Sequence, residues 1–77
     1  MERTKRYQLE KKYMKLVKDI LESYEEICIM SVVEPDLGIV ELSYPKYQED
    51  DLTMIINDIR SKGISIWEIR GGDNDRR

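Results

Sequence analysis

The stretch that decides the fold is ICIMSVVEPDLGIVELSY, residues 27–44. It contains two apolar, β-prone runs, residues 27–34 and 39–44, separated by a segment that begins with Pro35 and ends with Gly38. Proline fixes φ and glycine permits a positive φ, so this pattern is typical of a tight turn between antiparallel strands. A four-residue loop pairs Glu34 with Ile39 and Val33 with Val40. The sequence therefore predicts a β-hairpin in the middle of the chain.

The predicted pairing assigns every side chain of the hairpin to one of two faces, because side chains alternate along a strand. One face is expected to pack against helices and carries Ile27, Ile29, Val33, Val40, Leu42 and Tyr44. The opposite, open face is expected to carry Cys28, Met30, Val32, Ile39, Glu41 and Ser43.

An amphipathic helix is predicted on each side of the hairpin, over residues 11–25 and 49–62. Apolar residues recur at helical spacing in both segments, as in one stripe facing a core. Three acidic residues open the second helix, and Gly63 suits its C-terminal end. The two stripes are Tyr13, Leu16, Val17, Ile20, Leu21 and Tyr24 in the first helix, and Leu52, Ile55, Ile56 and Ile59 in the second.

Two further strands complete the pattern, residues 4–10 before the first helix and 64–69 after the second. The order βαββαβ indicates an α+β fold, a ferredoxin-like sandwich. We expect a four-stranded antiparallel sheet in the order 4-1-3-2, with both helices on one face. Residues 1–70 form a single domain in this prediction, and residues 71–77 a frayed polar tail.

Composition narrows the range of functions. The chain has 77 residues, a formal net charge of −3, one cysteine and no histidine. A chain of this length has a thin core, for which oligomerisation is a common remedy. Histidine-based nucleophilic catalysis and a Cys/His metal site are excluded. We expect a protein that is not an enzyme, with no cofactor and no metal. It has no membrane segment, and its lone thiol suits the reducing cytoplasm.

Charge is distributed unevenly along the chain. Residues 1–18 hold seven basic and two acidic residues, whereas residues 19–51 hold ten acidic residues and one basic residue. The start of the first helix, with Lys11, Lys12 and Lys15, is a candidate anion site for a phosphate or carboxylate. The alternative is a solvated basic face, and the two opposite poles also suit association between molecules.

The open sheet face is the candidate contact surface, through Cys28, Met30, Val32 and Ile39. A homodimer is the simplest occupant, and another protein partner is the alternative. RNA-recognition domains of this architecture stack bases on aromatic side chains of the first and third strands. Here the third strand presents Glu41 and Ser43 on that face, so nucleic-acid binding is not expected.

The segment ILESYE, residues 20–25, and the acidic–Pro–Gly turn from Glu34 to Gly38 resemble a small bacterial family of uncharacterised proteins, a domain of unknown function. The strand order is also similar to that of ACT-like regulatory domains. Their ligand-binding turn contains a glycine, whereas residues 10–13 here are EKKY. The resemblance implies an ACT-like architecture, used as a homo-oligomeric interaction module or a regulatory module that binds a small ligand. A pure protein–protein adaptor and an RNA-binding domain remain as alternatives.

Overall fold

The computed structural model describes residues 2–24 and 26–69 of the chain. The elements follow in the order β1 (Glu2–Leu9), α1 (Met14–Glu22), β2 (Ile29–Glu34), β3 (Ile39–Pro45), α2 (Glu49–Ser61) and β4 (Ile66–Ile69). Short 3-10 turns lead into α1, β3 and α2. The predicted tail, residues 71–77, lies outside the described residues, as do residue 70 and the predicted last residue of the first helix, Glu25.

The four strands form one antiparallel sheet in the order β2-β3-β1-β4. This is the predicted order 4-1-3-2 read from the opposite edge, so the predicted sheet is confirmed. The longest pairing joins the two central strands, from Glu2 opposite Pro45 to Gln8 opposite Ile39. The predicted α+β class with two helices is confirmed as well.

The core lies between one face of the sheet and the two helices. On the sheet it contains Tyr7 and Leu9 of β1 with Val40, Leu42 and Tyr44 of β3, the strand faces that the alternation predicts. The predicted stripe of α2, formed by Leu52, Ile55, Ile56 and Ile59, is buried in full.

The buried stripe of α1 is narrower than the sequence predicts. Val17 and Leu21 are buried, whereas Leu16 is 47% exposed. Residues 11–13 form a 3-10 turn, and the α-helix proper has nine residues. Tyr13, Met14 and Ile20 are partly buried against the core, so the predicted stripe is wrong at Leu16 and at Tyr24, which is 36% exposed.

The hairpin turn has the predicted position and uses its glycine. Residues 35–37 form a 3-10 turn, and Gly38 has φ of 71°. A Cβ atom at this position would lie 1.9 Å from the backbone oxygen of Leu9. The Leu9 N–H donates to the Gly38 oxygen at 2.9 Å. Glycine is required here both by the left-handed backbone and by the close approach of β1.

The predicted register of β2 is wrong beyond the first pair. Glu34 does pair with Ile39, but Val32, and not Val33, pairs with Val40. A β-bulge leaves Val33 without a partner in the ladder. One extra residue reverses the faces of the paired positions before it, from Ile29 to Val32, because the side-chain period is two. Cys28 and Met30 therefore pack on the helix side, and Ile29 turns to the open face.

Candidate functional site

The open face of the sheet is the largest surface that the two helices leave uncovered. Residues directly opposite each other in antiparallel strands point to the same face, so the strand register defines its members. Three rows cross the sheet. They comprise Ile29, Ser43 and Thr4; then Ser31, Glu41, Arg6 and Ile69; then Glu34, Ile39, Gln8 and Trp67.

An ion pair occupies the centre of this face. Nε of Arg6 lies 3.4 Å from Oε2 of Glu41, across the two central strands. The Arg6 side chain is 40% exposed and that of Glu41 is 32% exposed. Next to this pair, Nε2 of Gln8 donates to the backbone oxygen of Leu37 at 2.8 Å, which ties β1 to the hairpin turn. The centre is therefore charged, ordered by the fold and open to solvent.

Apolar side chains flank the ion pair. Trp67 of β4 is 44% exposed and Ile29 of β2 is 61% exposed. Ile39 and Ile69 are partly buried on the same face. This face therefore has a charged centre and apolar flanks, whereas most protein interfaces have an apolar centre and a polar rim.

The predicted contact surface is corrected in three of its four members. Ile39 lies on the open face, as expected. Cys28 is 3% exposed in the core, where burial raises the pKa of its thiol. Met30 packs against the core, and Val32 shares the face of Val40 at the exposed edge of the sheet. The bulge at Val33 is the cause of all three errors.

Two residues of the open face, Ile29 and Trp67, are not predicted from the sequence, because the bulge shifts the register of β2 and the register of β4 is not defined by the sequence pattern. Ile29 was expected on the helix side, and the side of Trp67 could not be assigned before the pairing of β4 was known. Trp67 stands opposite Gln8, which places it on the open face. The alternation of β1 did predict that Arg6 and Gln8 share the face opposite Tyr7.

The three lysines of the candidate anion site are exposed around the start of α1. Nζ of Lys15 lies 3.8 Å from Oδ2 of Asp19, one turn further along the helix. Nζ of Lys12 lies 5.2 Å from the ring centre of Tyr13. Lys11 stands in the preceding 3-10 turn. These contacts occupy Lys12 and Lys15 within the chain, and anion binding by this group stays a prediction.

A second polar cluster lies on the helix side, at the edge formed by β1, β4 and the start of α2. Nζ of Lys5 lies 3.6 Å from Oε2 of Glu49 and 3.8 Å from Oε1 of Glu68. Burial, with a smaller effect of the Glu68 carboxylate, raises the pKa of Tyr7 to about 12. A phenol with that pKa stays protonated at neutral pH.

Beside this cluster is a small cleft of about 130 Å³, and Tyr7 and Arg60 line it together with Lys5 and Glu68. Nε of Arg60 donates to the Ile66 oxygen at 2.8 Å, which orients the guanidinium. The nearby hydroxyl of Tyr44 is buried without a hydrogen-bond partner among the described residues, and burial raises its pKa. The cleft has the volume of about four water molecules.

An open groove of about 590 Å³ runs between the end of α1 and α2, and Tyr24, Met54, Asp51 and Asp58 are among the residues that line it.

Within residues 2–24 and 26–69, no three His, Cys, Asp or Glu side chains converge as metal ligands would. No helix in these two ranges has the length and apolar character needed to cross a membrane.

Comparison with known protein families decides what the chain is related to. A family model described as a domain of unknown function, DUF4911, matches residues 7–62. The chain belongs to this family. The match runs from Tyr7 through α1, the hairpin and the whole of α2, so the DUF4911 model covers most of the fold described above. No curated protein and no solved structure matches the chain.

Proposed function

We propose that this DUF4911 protein is a non-catalytic association module of the cytoplasm that forms a homodimer through its open sheet face. The observation that carries the proposal is Trp67, a large aromatic side chain that is 44% exposed on a face without helices. Tryptophan is among the residues most enriched where binding energy concentrates in protein interfaces. Its neighbours on this face, Ile39 and Ile69, extend the apolar surface.

The size of the face predicts the strength of the dimer. Four strands about 4.8 Å apart and about six residues long on average make a patch of roughly 20 Å by 20 Å. Two such patches together come to roughly 800 Å², which is below the area that stable specific interfaces bury and in the range of weak, transient ones. We therefore expect a dimer that dissociates on dilution. A second copy would also add apolar burial to the thin core of this small chain.

A module that binds a small ligand is the second candidate, and the cleft beside Lys5 and Arg60 favours it. Lys5, Arg60 and Tyr7 line this cleft of about 130 Å³ together with the Glu68 carboxylate, so a small carboxylate or another small anion would have to compete with Glu68 for Lys5. A thermal-shift screen with small carboxylates and phosphate separates the two functions. A ligand that binds the folded chain raises its melting temperature, whereas a module that only associates shows no such shift.

RNA binding is the least supported alternative. The central strands β1 and β3 present Thr4, Arg6, Gln8, Ile39, Glu41 and Ser43 on the open face, and none of these is aromatic. Trp67 stands on the edge strand β4. A carboxylate at the centre of the face repels phosphate, and base stacking lacks a platform there.

The test compares two charge insertions in sedimentation velocity experiments. Trp67→Glu places a carboxylate on the open face and should weaken the dimer at least about tenfold. Met54→Glu is the matched control, because Met54 is 68% exposed on α2, on the opposite side of the sheet. It should leave the dimer unchanged. A monomeric wild-type protein at millimolar concentration, or a full dimer in the Trp67→Glu variant, would show that the proposal is wrong.

A further inference from the structure

The ion pair at the centre of the open face is complementary to itself. Arg6 and Glu41 stand directly opposite each other on the two central strands. We propose that two copies stack their open faces with the two-fold axis parallel to β1 and β3, so that Arg6 of each copy lies over the partner's Glu41. This arrangement rests on the proposed homodimer and specifies how its two faces meet.

Two-fold symmetry limits the ways in which the two open faces can meet. In a two-fold dimer the axis lies within the interface, here between the two sheets. An axis parallel to the strands exchanges the lateral positions of β1 and β3, which brings Arg6 over the partner's Glu41. An axis perpendicular to the strands leaves those positions unchanged and brings Arg6 over the partner's Arg6. Like charges in contact oppose association, so the charges select the first arrangement.

Arg6 and Glu41 have more hydrogen-bond donors and acceptors than their contact within the chain uses. Among the described residues, the guanidinium of Arg6 makes one hydrogen bond, from Nε to Oε2 of Glu41 at 3.4 Å. A guanidinium carries five N–H donors in a planar fork, and a carboxylate has about four acceptor positions. Two Arg6–Glu41 pairs can therefore form a ring of four alternating charges without losing the contact within each chain.

The axis also fixes which residues face the apolar side chains. Gln8 pairs with Ile39 on one side and with Trp67 on the other, and Ile39 pairs with Glu34, so these four residues share one row across the sheet. An axis parallel to the strands places this row on the same row of the second copy, with Ile39 over the partner's Gln8 and Trp67 over the partner's Glu34. The perpendicular axis would instead place it over the row of Thr4, Ser43 and Ile29.

Charge reversal with mixing tests the arrangement. Arg6→Glu gives a face with two carboxylates at its centre, and Glu41→Arg gives a face with two cations. Each variant alone should dimerise at least about tenfold more weakly than the wild type. An equimolar mixture should recover the dimer as a heterodimer, which native mass spectrometry distinguishes from both homodimers by mass. Lys18→Glu on α1 makes the same charge change at an exposed position of the helix side and should leave the homodimer intact.

A double variant keeps the test independent of folding. Arg6→Glu with Glu41→Arg restores the pair within the chain with reversed sign, so it should dimerise with itself and not with the wild type. If Arg6→Glu alone keeps the wild-type affinity, or if the double variant dimerises with the wild type and not with itself, the arrangement is wrong. The proposed dimer itself still stands in that case if Trp67→Glu dissociates it. A monomeric wild type overturns both.

Discussion

Val33 is the residue on which the two faces of β2 depend. It has no partner in the ladder between Val32 opposite Val40 and Glu34 opposite Ile39. The bulge turns Cys28 into the core, where 3% of its surface is exposed. A bulge in the edge strand β2 also hinders pairing of this edge with the edge of another sheet.

The accessibility of Cys28 tests this register directly. In the native protein a thiol reagent such as DTNB should react with Cys28 more than about tenfold more slowly than in the urea-unfolded chain, because reaction requires local opening of the core and burial raises the pKa of the thiol. A hairpin without the bulge would place Cys28 on the open face. Equal rates in the native and unfolded protein would therefore contradict the observed register.

At the scale of elements, α2 contributes more to the core than α1. Four aligned aliphatic side chains of α2 are buried, against Val17 and Leu21 of the shorter helix. The three carboxylates in its first turn and Arg60 in its last complement the helix dipole. α1 has no acidic residue in its first turn and no side-chain cap at its start. Packing against the sheet therefore stabilises α1 more than capping and charge interactions at its ends do.

Two substitutions on α2 measure this contribution. Ile56→Ala removes a side chain that is 3% exposed and should lower the free energy of unfolding by about 2–5 kcal/mol, because it leaves a cavity in the core. Met54→Ala, two residues away on the exposed side, should change it by no more than about 0.5 kcal/mol. Urea denaturation followed by circular dichroism gives both values. Equal midpoints for the two variants would mean that the buried face of α2 is misassigned.

At the scale of the whole molecule, the two sides of the sheet differ in chemistry. The helix side holds the apolar core and, at its edge, the charged cluster of Lys5, Glu49 and Glu68 above the buried tyrosines Tyr7 and Tyr44. The open side holds a central ion pair with apolar flanks. The buried phenols make the folded state sensitive to alkali, whereas the association that we propose uses the other side.

Alkaline titration tests the burial of Tyr7. Its pKa is 10.0 in the reference state and about 12 in the folded chain. The free energy of unfolding that the protonated Tyr7 phenol contributes is fully present below pH 10. It is lost as the pH rises from 10 towards 12, by about 1.4 kcal/mol per pH unit, because the unfolded chain releases the proton at a lower pH than the folded chain. Between pH 9 and 11, Tyr7→Phe should therefore lose about 1 kcal/mol less stability than the wild type in urea denaturation. Parallel pH profiles for the two proteins would contradict this assignment.

The sequence by itself determined the order of the elements, the order of the strands, the stripe of α2 and the buried faces of β1 and β3. Each of these follows from local periodicity, from Pro35 and Gly38 at the turn, and from the few ways in which such elements pack. Only the tertiary structure decided which face of β2 and of β4 is buried. Periodicity of two shows that side chains alternate but does not say which set points inward. In β2, the unpaired residue Val33 reverses which set of side chains points to the core. In β4, the pairing of Trp67 with Gln8 determines which set is buried.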